Sequence, residues 1–330
     1  MRRLRVGVIG FGSIGRHHAR NLAAMPDVDL VAVVDPSEVA RRSAAEAGHR
    51  AFARVNELVA AGIDAAVVAV PTSYHEEVAL ALIERSIAVL VEKPLAHNLI
   101  AAKRVIEAAK LRGVPLMVGY VERYNPAMEQ VRNFVAEGNL GTLLSISARR
   151  VGGLPPRIND ANVLVDIGVH DIDIVAFITG ARLHLVSAQG GMAHLTDRLD
   201  YATVYLSVNG TSVHIDTNWA TPVKIRNLSI TGTRGYANVD YITQEAWFVP
   251  GQSFAPTATY EALVAQYVDG TPVAMPVAKC EPLARELQVF VAGVRGEPLP
   301  DPRISLASLR IAEEATAYIA QHKLQAVVSA

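Results

Sequence analysis

The sequence predicts an α/β protein in which a doubly wound parallel sheet is followed by an α+β domain built on a large, mainly antiparallel sheet. Three observations predict it. Short apolar runs alternate with helical patterns through the first 120 residues, a glycine-rich turn closes the first run at Gly10 to Gly15, and after Tyr120 longer strand candidates appear, separated by hairpin signals. At 330 residues, 51% hydrophobic and 19% charged, the chain can fill about two packed cores. The expected division is residues 1–120 and 121–330.

The runs Leu4 to Ile9, Leu30 to Val34, Ala65 to Val70, Ala88 to Val91 and Leu116 to Gly119 are rich in Val, Ile and Leu, as strands buried on both faces must be. Helical patterns lie between them at Ile14 to Ala24, Ser37 to Ala47, Val55 to Ala61, Tyr74 to Arg85 and Ile100 to Arg112. Parallel strands joined by helices at this spacing imply right-handed crossovers. Beyond Tyr120, Asn125-Pro126 opens a helix to about Ala136, and strands are expected at Leu143 to Val151, His184 to Gln189, Ala202 to Val208, Ser212 to Asn218, Arg226 to Thr231 and Ala246 to Val249. A helix at Val165 to Ile178 interrupts them. Two late helices, Glu281 to Val294 and Ser305 to Ala320, are expected to pack back on the first domain.

The turn Gly10-Phe11-Gly12-Ser13-Ile14-Gly15 follows a strand directly and opens a helix, the context in which such glycines bind a dinucleotide. Gly10 serves the tight turn, Gly12 admits a pyrophosphate close to the backbone, and Gly15 lets helix and strand touch. The helix N-terminus offers its unpaired N–H groups to the phosphates. Asp35, twenty residues after Gly15, ends the second run. A carboxylate there accepts bonds from ribose hydroxyls and repels a 2′-phosphate, so the expected cofactor is NAD. Arg41 and Arg42 are expected on a solvated helix face.

Two constellations carry chemistry. Glu92-Lys93-Pro94 follows the strand at Ala88 to Val91, at the sheet edge where ligands of open α/β sheets bind. A half-desolvated lysine there can act as a proton acceptor. Pro94 restricts Lys93 to an extended backbone and suits a cis peptide. The second is Asp166-Ile-Gly-Val-His170, whose four-residue spacing puts both side chains on one helix face. His170 suits general-base work, with Asp166 orienting it or holding a hydroxyl. No second histidine stands at ligand spacing, so no metal is expected.

Taken in order, GFGSIG, Asp35, Pro71-Thr72-Ser73-Tyr74-His75, Glu92-Lys93-Pro94 and Asp166 to His170 resemble the glucose–fructose oxidoreductase/inositol dehydrogenase/rhizopine-catabolism (Gfo/Idh/MocA) oxidoreductases over nearly the whole chain. The resemblance implies a Rossmann domain and a second domain whose open sheet mediates homo-oligomerisation, as a dimer or tetramer. It implies Lys93, Asp166 and His170 as catalytic residues around a sugar hydroxyl. Pro71, Thr72, His75 and Glu92 would line the cofactor beside Gly10 to Gly15, Asp35 and Lys93. The segments Val118 to Pro126, Ser145 to Arg157 and Asn218 to Arg226 are similar to the nucleotide-sugar branch that oxidises the 3-hydroxyl of UDP-N-acetylglucosamine. That adds Tyr120, Arg150 and Arg157 to Lys93, Asp166 and His170 as substrate-binding candidates. Arginine forks suit a diphosphate, with Arg149, Lys224 and Arg226 as further cations. On strand alternation Arg149 and Arg150 point to opposite faces. The alternatives are a free polyol or monosaccharide such as myo-inositol, or a non-catalytic NAD-binding regulator.

The totals exclude other classes. Lys plus Arg number 31 against 32 Asp plus Glu, so no global basic field draws the protein to nucleic acid. The apolar run after the basic N-terminus is too short for a leader, and none approaches a bilayer span. One cysteine, Cys280, excludes an internal disulfide and fits a cytoplasmic protein.

Overall fold

The computed structural model describes residues 2–155, 161–251, 259–261 and 271–322. They form two compact units that are each discontinuous in sequence. One comprises Met1–Tyr124 and Glu281–Arg310; the other comprises the described residues of Asn125–Cys280 and Ile311–Ala330. The return of Glu281–Arg310 to the first unit agrees with the expectation for the helix at Glu281 to Val294, whereas the helix expected at Ser305 to Ala320 is divided between the units after Arg310.

The first unit is a six-stranded parallel sheet: β1 (Leu4–Ile9), β2 (Val28–Val34), β3 (Ala51–Phe52), β4 (Ala65–Val68), β5 (Ala88–Glu92) and β6 (Leu116–Gly119), in the spatial order β3-β2-β1-β4-β5-β6. The chain reverses direction across the sheet between β1 and β4, the switch point at which doubly wound sheets open a ligand crevice. Helices α1 (Ser13–Ala24), α2 (Glu38–Glu46), α3 (Val55–Ala60), α4 (His75–Ile83) and α5 (Leu99–Arg112) form the crossovers. Their ends follow local chemistry: the Asn98 side chain caps α5 by accepting from Ala101 N–H at 2.9 Å, and Gly113 ends it at φ +63°. The strands are apolar because both faces are covered; Val6, Val67, Leu90 and Val91 are wholly buried. Each such side chain contributes about 1.5–3 kcal/mol on burial. β3, only two residues long, left no periodic signal in the sequence.

The second unit is an eight-stranded sheet of β7 (Leu143–Gly153), β8 (His184–Gly191), β9 (Tyr201–Val208), β10 (Thr211–Asn218), β11 (Ala220–Gly232), β12 (Gly235–Asp240), β13 (Glu245–Pro250) and β14 (Val273–Ala274), in the order β14-β13-β12-β11-β7-β10-β9-β8. Every pairing is antiparallel except β10 with β7. Two helices, α6 (Pro126–Ala136) and α7 (Val169–Thr179), pack together on this sheet. Along β7 the alternation is sharp: Ile146, Ala148 and Arg150 are buried, whereas Ser145, Ser147 and Arg149 are exposed. The expectation that the two arginines face opposite ways is met. Strand β12 was not anticipated, because Tyr236-Ala-Asn-Val-Asp240 interleaves small and polar residues and only its pairing with β11 and β13 defines it.

Helix α8 (Pro282–Val294) belongs to the first unit and lies against α1, its Leu287, Phe290 and Val291 sharing a core with Ala19 and Leu22. Helix α9 (Ser305–Gln321) follows a 3-10 turn at Pro302–Ile304.

Candidate active site

The glycine turn is built by steric exclusion. Gly10 has φ +95°, and a Cβ there would lie 2.3 Å from the Ala69 carbonyl oxygen. A Cβ on Gly15 would lie 2.0 Å from the Gly10 carbonyl oxygen. Gly12, by contrast, faces open space, with no atom within 4 Å of the position a Cβ would take. Two glycines therefore close the turn, and the third leaves a cradle over the start of α1, whose Gly12 N-cap bears no capping side chain. A pyrophosphate approaching the backbone fits that space and those N–H groups. Phe11, buried, and Ser13 and Ile14, exposed, complete the turn.

Asp35 stands beside it. Its Oδ2 accepts the Phe11 N–H at 2.9 Å and its Oδ1 accepts the Ser37 N–H at 2.8 Å, which fixes a half-buried carboxylate at the end of β2. Arg42 pairs with Glu38 on the exposed face of α2, as expected for a solvated arginine. Arg41 instead folds back and donates to the Asp35 and Pro36 carbonyls at 2.9 and 2.7 Å.

Beyond β4, Pro71 precedes a 3-10 turn at Thr72–Tyr74, and His75 begins α4. The His75 ring is 1% exposed, with Nδ1 2.8 Å from the Pro94 carbonyl oxygen and Nε2 2.9 Å from that of Val70. It ties the loop after β4 to the loop after β5, so its role is to shape the site from beneath. Burial is the main influence on it and lowers its pKa, more than its hydrogen bonds to Pro94 and Val70 raise it. The Lys93–Pro94 peptide is cis, and Lys93 is half-buried at the carboxyl end of β5.

Glu92 is buried at the last position of β5, and its Oε1 accepts from His18 Nε2 at 2.7 Å. Burial pulls its pKa upward, but the His18 hydrogen bond and the positive charge of Lys93 outweigh it and hold the carboxyl below its usual range. The Tyr120 side chain is 1% exposed, with its hydroxyl 2.6 Å from Ser308 Oγ.

In the second unit the expected helix at Val165 to Ile178 divides. Leu164–Gly168 is a π-helical turn and α7 begins at Val169, so Asp166 and His170 do not share one uninterrupted α-helix. Such turns recur at functional sites because they re-aim side chains. The Asn162 side chain anchors this one by accepting the Val165 N–H at 3.0 Å. Both Asp166 and His170 are half-buried.

Arg150 is 2% exposed and donates from Nε and Nη2 to the two carboxylate oxygens of Asp171 at 3.0 and 3.1 Å. The Tyr241 hydroxyl donates to the same carboxylate at 3.0 Å, and the guanidinium lies 4.8 Å from the Tyr241 ring centre. Arg150 also borders a cavity of about 250 Å³, together with Ile167, Trp219, Lys224, Arg226 and the backbone of Gly152 and Gly153. Arg157 lies outside the described residues. The structure thus gathers the glycine turn, Asp35, Glu92 and Lys93 in one unit, and Asp166, His170, Arg150, Lys224 and Arg226 in the other.

Sequence reasoning missed His18 and Tyr241, and it placed Asp171 in the acidic run after His170 without giving it a partner. His18 carried a usable signal, three residues after Gly15 on the face of α1 that also buries Ala19 and Leu22. Among the described residues, no three His, Cys, Asp or Glu side chains are grouped to hold a metal, and no helix is long and apolar enough to cross a membrane.

A doubly wound sheet with a glycine cradle and an acidic residue after β2 defines an NAD-binding domain. Comparison with known proteins agrees: residues 4–120 match the family described as "Oxidoreductase family, NAD-binding Rossmann fold", and residues 128–238 match the GFO/IDH/MocA C-terminal domain. The chain belongs to the GFO/IDH/MocA oxidoreductase family. It is 33% identical to a UDP-N-acetylglucosamine 3-dehydrogenase of Acidithiobacillus ferrooxidans over 72% of this chain and 74% of that one. Against an inositol 2-dehydrogenase of Saccharopolyspora erythraea it is 35% identical over 56% of each chain. The solved structure of the Acidithiobacillus enzyme superposes with a TM-score of 0.82 at 28% identity, covering 97% of this chain and 98% of that one. GenD2 from gentamicin A biosynthesis, solved with NAD, gives a TM-score of 0.82 at 26% identity, covering 98% and 96%.

Proposed function

We propose that the protein oxidises a sugar hydroxyl to a ketone with NAD, and that its substrate is a nucleotide sugar oxidised at the 3-hydroxyl, UDP-N-acetylglucosamine or a close relative. The observation that carries the substrate class is the cavity beside the π turn. It is lined by Arg150, Lys224 and Arg226, and it borders Ile167, the neighbour of Asp166. The Lys224 and Arg226 side chains and two glycine backbones on this wall suit a diphosphate far better than an uncharged polyol. The similarity to the Acidithiobacillus enzyme supports the same reading.

When bound, oxidised NAD supplies the acceptor for the hydride that leaves the carbinol carbon. Glycines 10, 12 and 15 and Asp35 hold it. Lys93 or His170 takes the hydroxyl proton as the C–H bond breaks, leaving a ketone. Asp166 orients His170 or holds a neighbouring hydroxyl. Arg150, paired with Asp171, acts mainly by stiffening the cavity wall, and Lys224 and Arg226 on the same wall face an anionic group. The open sheet face, with Tyr201 and Tyr205 exposed, provides the surface for a homo-oligomer.

The test is NADH formation with UDP-N-acetylglucosamine compared with myo-inositol and glucose, on the parent and on Lys93→Met. Turnover of the nucleotide sugar, with a loss of about 10²–10⁴ in kcat and unchanged NAD affinity in the variant, is expected. Turnover of inositol alone would move the substrate to the polyol class. Full activity in Lys93→Met would remove Lys93 from the chemistry.

A further inference from the structure

Behind the Glu92-Lys93-Pro94 turn the first unit buries ionisable side chains that the reaction as described does not use. His18, wholly buried on α1, donates to Glu92, while its Nδ1 has no hydrogen-bond partner. The other carboxylate oxygen of Glu92 accepts the Lys93 N–H at 3.2 Å. Gly119, paired with Glu92 across β5 and β6, leaves the room this needs, since a Cβ there would lie 3.4 Å from the Glu92 carboxyl carbon. A second acid, Glu286 on α8, is wholly buried with neither oxygen hydrogen-bonded.

Titratable and charged groups act on this pair from α1, α4, α8 and two turns. His18 reaches Glu92 from α1, His75 from α4 and Lys93 from its own turn; Glu286 faces Glu92 from α8, and Arg123 acts on Glu286 from the 3-10 turn at Val121–Tyr124. Burial, then repulsion by Glu92, pushes the Glu286 carboxyl well above the usual range against the pull of Arg123. Of the two buried acids, Glu92, which has the hydrogen bonds, ionises more readily than Glu286, which has none.

We propose that His18 is a positioning residue that holds Glu92 as a fixed negative charge beside Lys93, and so sets the pH at which the Lys93 amine releases its proton, while Glu286 adds no charge. The catalytic consequence rests on Lys93 handling a proton in the proposed reaction, but the electrostatic statement can be read from Lys93 itself.

The chain has six lysines, few enough for each amine to be followed by NMR after reductive ¹³C-methylation, with the Lys93 signal assigned by its absence from Lys93→Met. Removing the donor in His18→Leu leaves a buried carboxyl that takes up a proton, and the Lys93 midpoint falls by about one pH unit. His18→Gln, which keeps an N–H donor, restores the parent midpoint. Glu92→Gln gives the same fall as His18→Leu and stands in if the leucine variant does not fold. Glu286→Gln exchanges a neutral acid for a neutral amide and leaves the midpoint unmoved.

An unmoved midpoint in Glu92→Gln or His18→Leu overturns the proposal, as does a fall in Glu286→Gln. In the kcat/KM profile of His18→Leu the acid limb moves to lower pH by the same interval. If the NMR midpoint moves and the acid limb does not, the positioning role stands and Lys93 is not the base.

Discussion

Replacing Arg150 by methionine tests a buried ion pair in the second unit. Arg150 and Asp171 have side chains 2% and 0% exposed, so water screens neither. Without the guanidinium, Asp171 keeps the Tyr241 hydroxyl and loses both charge-assisted bonds from Arg150. Stranding one partner of a buried pair costs about 3–5 kcal/mol. In a domain of this size that lowers Tm by roughly 6–20 °C. Adding Asp171→Leu removes the stranded charge, so the double variant should recover most of the loss. It should remain about 1–2 kcal/mol below the parent because the Tyr241 hydroxyl then lacks its acceptor. Urea unfolding of the parent, both single variants and the double variant closes the cycle. A loss under about 1 kcal/mol in Arg150→Met, or additive single effects, would refute the claim that the pair is a coupled buried unit.

Three further outcomes follow from the geometry. Gly12→Ala adds a methyl to open space, so Tm should stay within about 1 °C while NAD affinity drops at least tenfold. Gly15→Ala drives its methyl into the Gly10 carbonyl and should lose both; differential scanning fluorimetry with and without NAD separates them. Asp35→Ser removes the carboxylate that would repel a 2′-phosphate, so the ratio of NADP to NAD kcat/KM should rise by more than tenfold in steady-state assays. Asp200 accepts the N–H groups of Ala193, His194 and Leu195 at 2.6–2.8 Å, and although burial opposes them, these bonds hold its pKa below the ordinary 3.8. Its ionised form therefore stabilises the fold above that pH, and the benefit disappears as pH falls through the lowered value. Asp200→Asn should cost roughly 2 kcal/mol at pH 7, by denaturant unfolding, and progressively less below pH 3.8.

The glycine turn, Asp35 and the alternation of apolar runs with helices were legible in the sequence because each depends on neighbours within about thirty residues. A backbone that must bend at Gly10 and approach its own helix at Gly15 announces itself by the residue type, and a doubly buried parallel strand by an unbroken apolar run. The inward and outward facing of Arg150 and Arg149 was readable for the same reason, since strand alternation is a local rule. What Arg150 does was not: its partner Asp171 lies on α7 and Tyr241 follows β12, and only the folded sheet brings them together. The same holds for the π turn that breaks the Asp166–His170 helix, and for His18 meeting Glu92 across 74 positions. Local steric and hydrogen-bonding preferences determined the elements and the cofactor turn. Burial, which sets the worth of a charge by what surrounds it, determined which ionisable residues are structural and which remain for chemistry, and burial exists only in the tertiary structure.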